Sequence, residues 1–199
     1  MRAPKRSSVV VFLGSAVLVL AGVAGWYLRS PDNDSSTDAQ ATATLSGGFE
    51  LTSHDYGRPV PLYASMLGVE PDTFRQAFSG VHPDPGHDPS GSEQETNKAA
   101  LLAVLAPHDV TNEKLDEVAN YYRFNDTEGQ TWPHRTAKVH AIVKDGRVTG
   151  FQLDDAGVGY TYPPTVSVSG HPEVRATVRL AFTKDFATNG HIASVELTS

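Results

Sequence analysis

Two histidines and two aspartates fall within seven residues, at His82, Asp84, His87 and Asp88. Imidazole and carboxylate together suit zinc and related ions, so this VHPDPGHDP stretch is the first place to look for metal-dependent hydrolysis. Metal ligands, however, need a fixed geometry. Pro83, Pro85 and Pro89 deny the stretch any regular element that would put the four side chains on one face. It therefore reads as an exposed polar loop, with metal binding as the alternative. The other histidines (His54, His108, His134, His140, His171, His191) are scattered, with no H-x-x-x-H or H-E-x-x-H spacing.

Nucleophiles are as sparse. There is no cysteine, which excludes thiolate chemistry, Cys-based zinc sites and disulfides. Ser79-Gly80 and Ser169-Gly170 lack the G-x-S-x-G elbow. Gly157-Val158-Gly159 leads into a proline-rich strand rather than a helix, so it cannot offer a helix N-terminus to phosphate. Its expected role is to take positive φ in a tight bend. Glu113, Asp116 and Glu117 share one helix near its start, where acids complement the dipole without catalysing anything. Asp154 and Asp155 close a strand. No catalytic residue is assigned, and no cofactor is expected. The aromatic side chains are the better lead. Tyr121, Trp132, Tyr160 and Tyr162 stand among Asn, Asp and Gly, the surroundings in which rings hold sugars or protein partners. Packing of helices on a sheet is the competing use for the same rings, most of all for Trp132.

The elements that must position these residues begin with a membrane anchor. Met1 to Arg6 carries three positive charges, and Val9 to Leu28 follows as twenty residues without a charge. As a helix that run is about 30 Å long, the thickness of a bilayer core. Trp26 and Tyr27 mark its far interface, and the basic flank puts the N-terminus in the cytoplasm. Partnership with lipid is therefore expected through residues 9–28, the domain lying on the extracytoplasmic side. A cleaved signal peptide with secretion is the alternative, but its apolar core would be shorter. Residues 30–48 hold almost no large apolar side chain and read as a disordered tether.

Residues 49–135 read as a small helical subdomain. Val60 to Leu67 is a short apolar run stopped by Gly68, and Pro71 opens a second helix stopped by Gly80. Ser92-Glu93-Gln94-Glu95 has capping-box spacing ahead of a third. Leu115, Val118, Ala119 and Tyr122 form the clearest helical stripe in the chain, capped by Thr111 or Asn112. From Thr136 the period changes to two. Residues 136–199 read as antiparallel β-hairpins, the first turning at Asp145-Gly146 and the last pair joined through Asn189-Gly190. Ala137-Lys138-Val139 and Ala176-Thr177-Val178 start the two hairpins 39 residues apart, the spacing of a repeat.

Lys144-Asp145-Gly146-Arg147-Val148 with Asp155 to Val166 resembles a β-repeat of secreted bacterial and phage tail-fibre-like proteins, whose pattern is close to G-x-G-Y-x-x-P-P-x-V. That likeness covers about 60 residues and implies a β-rich module without particular chemistry. Gly57-Arg58-Pro59-Val60, Phe74-Arg75-Gln76-Ala77-Phe78 and Val110-Thr111-Asn112 to Asn120-Tyr121-Tyr122-Arg123 are similar to exported proteins of planctomycete-like bacteria, a family with no established activity.

Of 16 basic and 23 acidic side chains, four basic ones and no acid lie in the first thirty residues. The remaining 12 basic against 23 acidic residues make an acidic body that repels nucleic acid. The sequence thus describes an α+β chain: anchor (1–29), linker (30–48), helical subdomain (49–135) and β-hairpin repeat (136–199). Its expected role is a non-enzymatic binding or structural module of the cell envelope, with another envelope protein or a glycan as partner. A metal-dependent or carboxylate hydrolase using the His82–Asp88 loop is the alternative.

Overall fold

The computed structural model describes residues 39–81, 90–125 and 128–198. The apolar run at residues 9–28 and the His82–Asp88 loop lie outside the described residues. Among the described residues no helix is long and apolar enough to cross a membrane.

Four α-helices form where proline and glycine punctuate the apolar pattern. α1 (Val60–Leu67) starts behind Pro59, with Pro61 in its first turn, and stops at Gly68, whose φ of 74° closes the last turn. α2 (Pro71–Ser79) presents Phe74, Ala77 and Phe78 on one face. α3 (Gly91–Leu105) begins ahead of the expected box. Ser90 accepts from the Glu93 amide while the Glu93 carboxylate accepts from the Ser90 amide, so the reciprocal cap is the Ser90/Glu93 pair. α4 (Asn112–Tyr121) is capped by Thr111, which accepts from the Lys114 amide. α1 is the axis of the helical layer. Val60, Leu62 and Ala64 are fully buried, and Phe74, Leu105, Val118, Tyr122 and Trp132 close around them. Each such side chain contributes about 1.5–3 kcal/mol of burial.

The sheet departs most from expectation. Residues 39–46, read above as tether, form strand β1 (Ala39–Ser46), and β1 is an interior strand. It lies between β2 (Lys138–Lys144) and β4 (Thr165–Val168), antiparallel to both, with Ala41 opposite Ala141 and Leu45 opposite Val166. β3 (Arg147–Asp155) completes the order β3-β2-β1-β4. The stretch AQATATLS does alternate in period two, but its inward residues, Ala41, Ala43 and Leu45, are only half-buried and two of them are small. Main-chain pairing on both edges, not side-chain hydrophobicity, holds it in place. Residues 39–46 thus do not belong to the expected tether, and residues 30–38 lie outside the described residues.

Asp145 and Gly146, at φ of 49° and 71°, turn β2 into β3 as expected. The last hairpin, β5 (Ala176–Ala181) with β6 (His191–Leu197), is a separate two-stranded sheet. Its loop spans residues 182–190, so Asn189-Gly190 ends a long connection rather than forming a two-residue turn. Tyr160, Val166, Val178 and Ile192 make the core beneath the strands. Phe49 packs against both that core and the helical one. The helical and β portions accordingly fall in one compact unit, Ser36–Ser199.

Candidate binding cleft

The segment after β3 joins helices to sheet. Gly157 and Gly159 take φ of 64° and 85°, the expected bend. They bring Tyr160 into the core, where its ring stacks on Phe49 at 4.3 Å and its hydroxyl accepts from the Ala137 amide at 2.9 Å. Trp132 is likewise enclosed, its indole N–H donating to the Gly159 carbonyl at 2.8 Å. Trp132 and Tyr160 are 1% and 0% exposed. These two candidates from the sequence are therefore core residues that cannot touch a ligand, because the G-x-G-Y bend turns both rings inward. Tyr121 stays at the surface, stacked on Phe186 at 4.1 Å and set edge-on to Tyr122.

Tyr162 has a different fate. It lines an open cleft of about 510 Å³ where α1, α2 and the β5–β6 connection meet. Pro61 and Ser65 of α1, and Val69, Glu70 and Pro71 at the α1–α2 joint, form one wall. Thr161, Tyr162 and Phe182 form the other, with Arg75 at the end. Phe182 is 39% exposed, so its ring is open to a partner. A smaller hollow of about 290 Å³ beside Gly80 and the start of α3 has no aromatic lining.

Under the cleft sits Asp55, a carboxylate only 1% exposed. Arg75 donates to its Oδ1 from Nε at 3.0 Å and from a terminal nitrogen at 2.9 Å, and the Tyr162 hydroxyl donates to Oδ2 at 2.9 Å. Burial pushes the Asp55 carboxyl up. Hydrogen bonds from Thr52, Arg75 and Tyr162, with the guanidinium charge, outweigh it and hold the group below its usual value of 3.8. Burial also raises the Tyr162 phenol, and the Asp55 charge adds to that rise. A depressed folded-state pKa stabilises the fold above the unfolded value and loses that contribution as pH falls through the folded one. Urea midpoints of the chain should thus be level from neutral pH down to about pH 4 on this account and fall below it. In Asp55→Asn the acid limb should be shallower, at a lower overall stability. An unchanged acid limb in the variant would remove Asp55 from the explanation.

The polar groups around the cleft are committed to one another and to the fold. Asp55 is ionised and sealed. Arg75 is committed to Asp55 and, through its other terminal nitrogen, to Asp72 at 2.8 Å. Ser65 Oγ shares its proton between the Leu62 carbonyl at 3.0 Å and Asn189 Oδ1 at 2.8 Å, with no base beside it. Thr161 donates to the carbonyls of Glu50 and Gly48. The carboxylates weighed in the sequence are also engaged elsewhere: Asp116 with Lys98, Glu117 with Lys114 and Asp155 with Arg135. On the outer sheet face His140 Nδ1 meets Asp154 Oδ2 at 2.7 Å, a pairing that sequence reasoning misses because it crosses strands. Its Nε2, the nitrogen a substrate would need, is enclosed without a partner among the described residues. Among the described residues no three His, Asp or Glu side chains are grouped to hold a metal ion. Comparison with known proteins finds no matching family model, curated protein or solved structure.

Proposed function

We propose that the chain is a membrane-anchored, extracytoplasmic binding module of the cell envelope and not an enzyme. In this reading residues 9–28 cross the bilayer, the N-terminus is cytoplasmic, and residues 39–198 face outward to take an envelope protein or glycan in the cleft. One observation carries it. The cleft presents open ring and proline surface through Phe182, Tyr162, Pro61 and Pro71, while its hydroxyls and buried ion pair are spent on one another. That division of labour suits recognition by contact, in which apolar walls supply affinity and a few polar groups orient the partner. The twenty-residue apolar run and its basic flank support the address, as does the likeness of Gly157 to Val166 to repeats of secreted proteins. With residues 39–46 in β1, the linker of this reading is residues 30–38, a short leash suited to a neighbour in the same envelope.

A photoreactive phenylalanine analogue in place of Phe182, expressed in the native cell and irradiated, should give discrete adducts with an envelope component. The same probe in place of Thr44, exposed on the outer sheet face, should not. Identical adducts from both positions, or none from Phe182, would remove the cleft from the account.

A further inference from the structure

Resting on that cleft as the binding site, we infer that its occupant is an extended peptide segment carrying a basic side chain, and that Glu70 receives the charge. Of the charged groups at the cleft, Arg75 is shared between Asp55 and Asp72 through the bonds described above, so it has no charge to spare and the trio is itself net negative. Glu70 lines the cleft and is exposed, and its carboxylate makes no ion pair or hydrogen bond among the described residues. Lys184, an open cation nearby, reaches over Gly68 and does not line the cleft. The charge left over in the cleft is therefore negative. Beyond residue 29 the body carries 12 basic against 23 acidic side chains, so its field draws cations in and turns anions away.

The polar bookkeeping separates peptide from glycan. A sugar brings many hydroxyls, each needing a partner once it leaves water. Ser65, Thr161 and Tyr162 already donate their protons within the fold, so the cleft has few donors to offer. A lysine or arginine has the opposite profile, an apolar stem and one charged head. Its stem matches Tyr162, Phe182 and Val69, and its head reaches the free carboxylate at Glu70. An aromatic-lined cleft also suits a proline-rich extended chain, which is already in polyproline II geometry and loses little conformational freedom on docking.

The test uses the full-length chain in lipid nanodiscs and three dye-labelled probes. They are a peptide of alternating proline and lysine, its proline–glutamate counterpart, and chitotetraose. The lysine peptide should bind with an anisotropy change and the glutamate peptide should not. Glu70→Gln should weaken the lysine peptide roughly tenfold, the equivalent of losing one partly desolvated charge pair. Phe182→Ala should weaken it as well, and Glu95→Gln, an exposed acid on α3, should leave it unchanged. Equal loss from Glu70→Gln and Glu95→Gln would reduce the binding to attraction by net charge and overturn the inference. So would affinity unchanged by Glu70→Gln. If chitotetraose binds in a Phe182-dependent way and the lysine peptide does not, the cationic assignment falls and the cleft stands. If no probe responds to Phe182→Ala, both fall.

Discussion

Asn189→Ala should cost about 3–6 kcal/mol, a large share of the roughly 5–15 kcal/mol that holds a domain together. Asn189 is fully buried and uses both ends of its amide. Nδ2 donates to the Leu62 carbonyl and the Tyr122 hydroxyl, each at 2.9 Å. Oδ1 accepts from Ser65 Oγ at 2.8 Å and from the Thr183 amide at 3.0 Å. One side chain thus ties α1, the end of α4 and the β5–β6 connection into a single network. Alanine orphans the part-buried Thr183 amide, at about 1–3 kcal/mol, and removes the bonds to Ser65, Tyr122 and the Leu62 carbonyl, which keeps only Ser65, at about 1 kcal/mol each. Tyr122→Phe removes one bond of the four and should cost about 1 kcal/mol. Burial raises the Tyr122 phenol to about 12, so its hydroxyl stays neutral and the network stays intact across the physiological range. Urea unfolding of the two variants beside the parent chain measures the difference. Equal losses would mean that Asn189 is not the hub.

Gly157→Ala should be of similar size, about 3–5 kcal/mol, and for a different reason. At φ of 64° an alanine is already strained, and its Cβ would stand 2.6 Å from the Arg135 carbonyl and 2.7 Å from the Ala137 nitrogen. Both neighbours are backbone and cannot swing aside. Arg135 and Val158 are joined there by a two-bond bridge at 3.0 and 2.9 Å, and the Tyr160 ring closes the third side at 2.9 Å. The bend would have to open, releasing Tyr160 from Ala137. Gly146→Ala is the matched comparison, because its φ is 71° but no atom lies within 4 Å of a Cβ there. It should cost only the conformational strain, about 1–2 kcal/mol. Thermal melts that lowered both variants equally would show that crowding at the G-x-G-Y bend does not matter.

The helical layer is readable from sequence because its signals are local. Gly68, Gly80, Pro71 and Thr111 stop or start their helices where expected, and the Leu115, Val118, Tyr122 stripe faces the core. The Asp145-Gly146 turn is readable for the same reason. β1 is not. Ala41, Ala43 and Leu45 bury too little to announce a strand, and its stability comes from partners about 100 or more residues away, at Ala141 and Val166. Asn189 misleads in the opposite sense. Asn-Gly is a strong turn signal by type, but here the amide points inward to bonds made across the fold. Of the candidate aromatics, only geometry separates Tyr162, which lines the cleft, from Tyr160 two residues earlier, which fills the core. The His82–Asp88 loop lies outside the described residues, so its candidate ligands stay where the sequence left them.

The proposed outward placement of the domain would give the cleft an envelope partner to meet, and the absence of cysteine makes that placement directly measurable. Single cysteines in place of Ser7, ahead of the apolar run, and Ser167, exposed on β4, each report one side of the membrane. A membrane-impermeant maleimide applied to spheroplasts should label Ser167→Cys at once and Ser7→Cys only after permeabilisation, with both chains retained in carbonate-washed membranes. Labelling of Ser167→Cys only after permeabilisation would put the domain inside the cell and contradict the account.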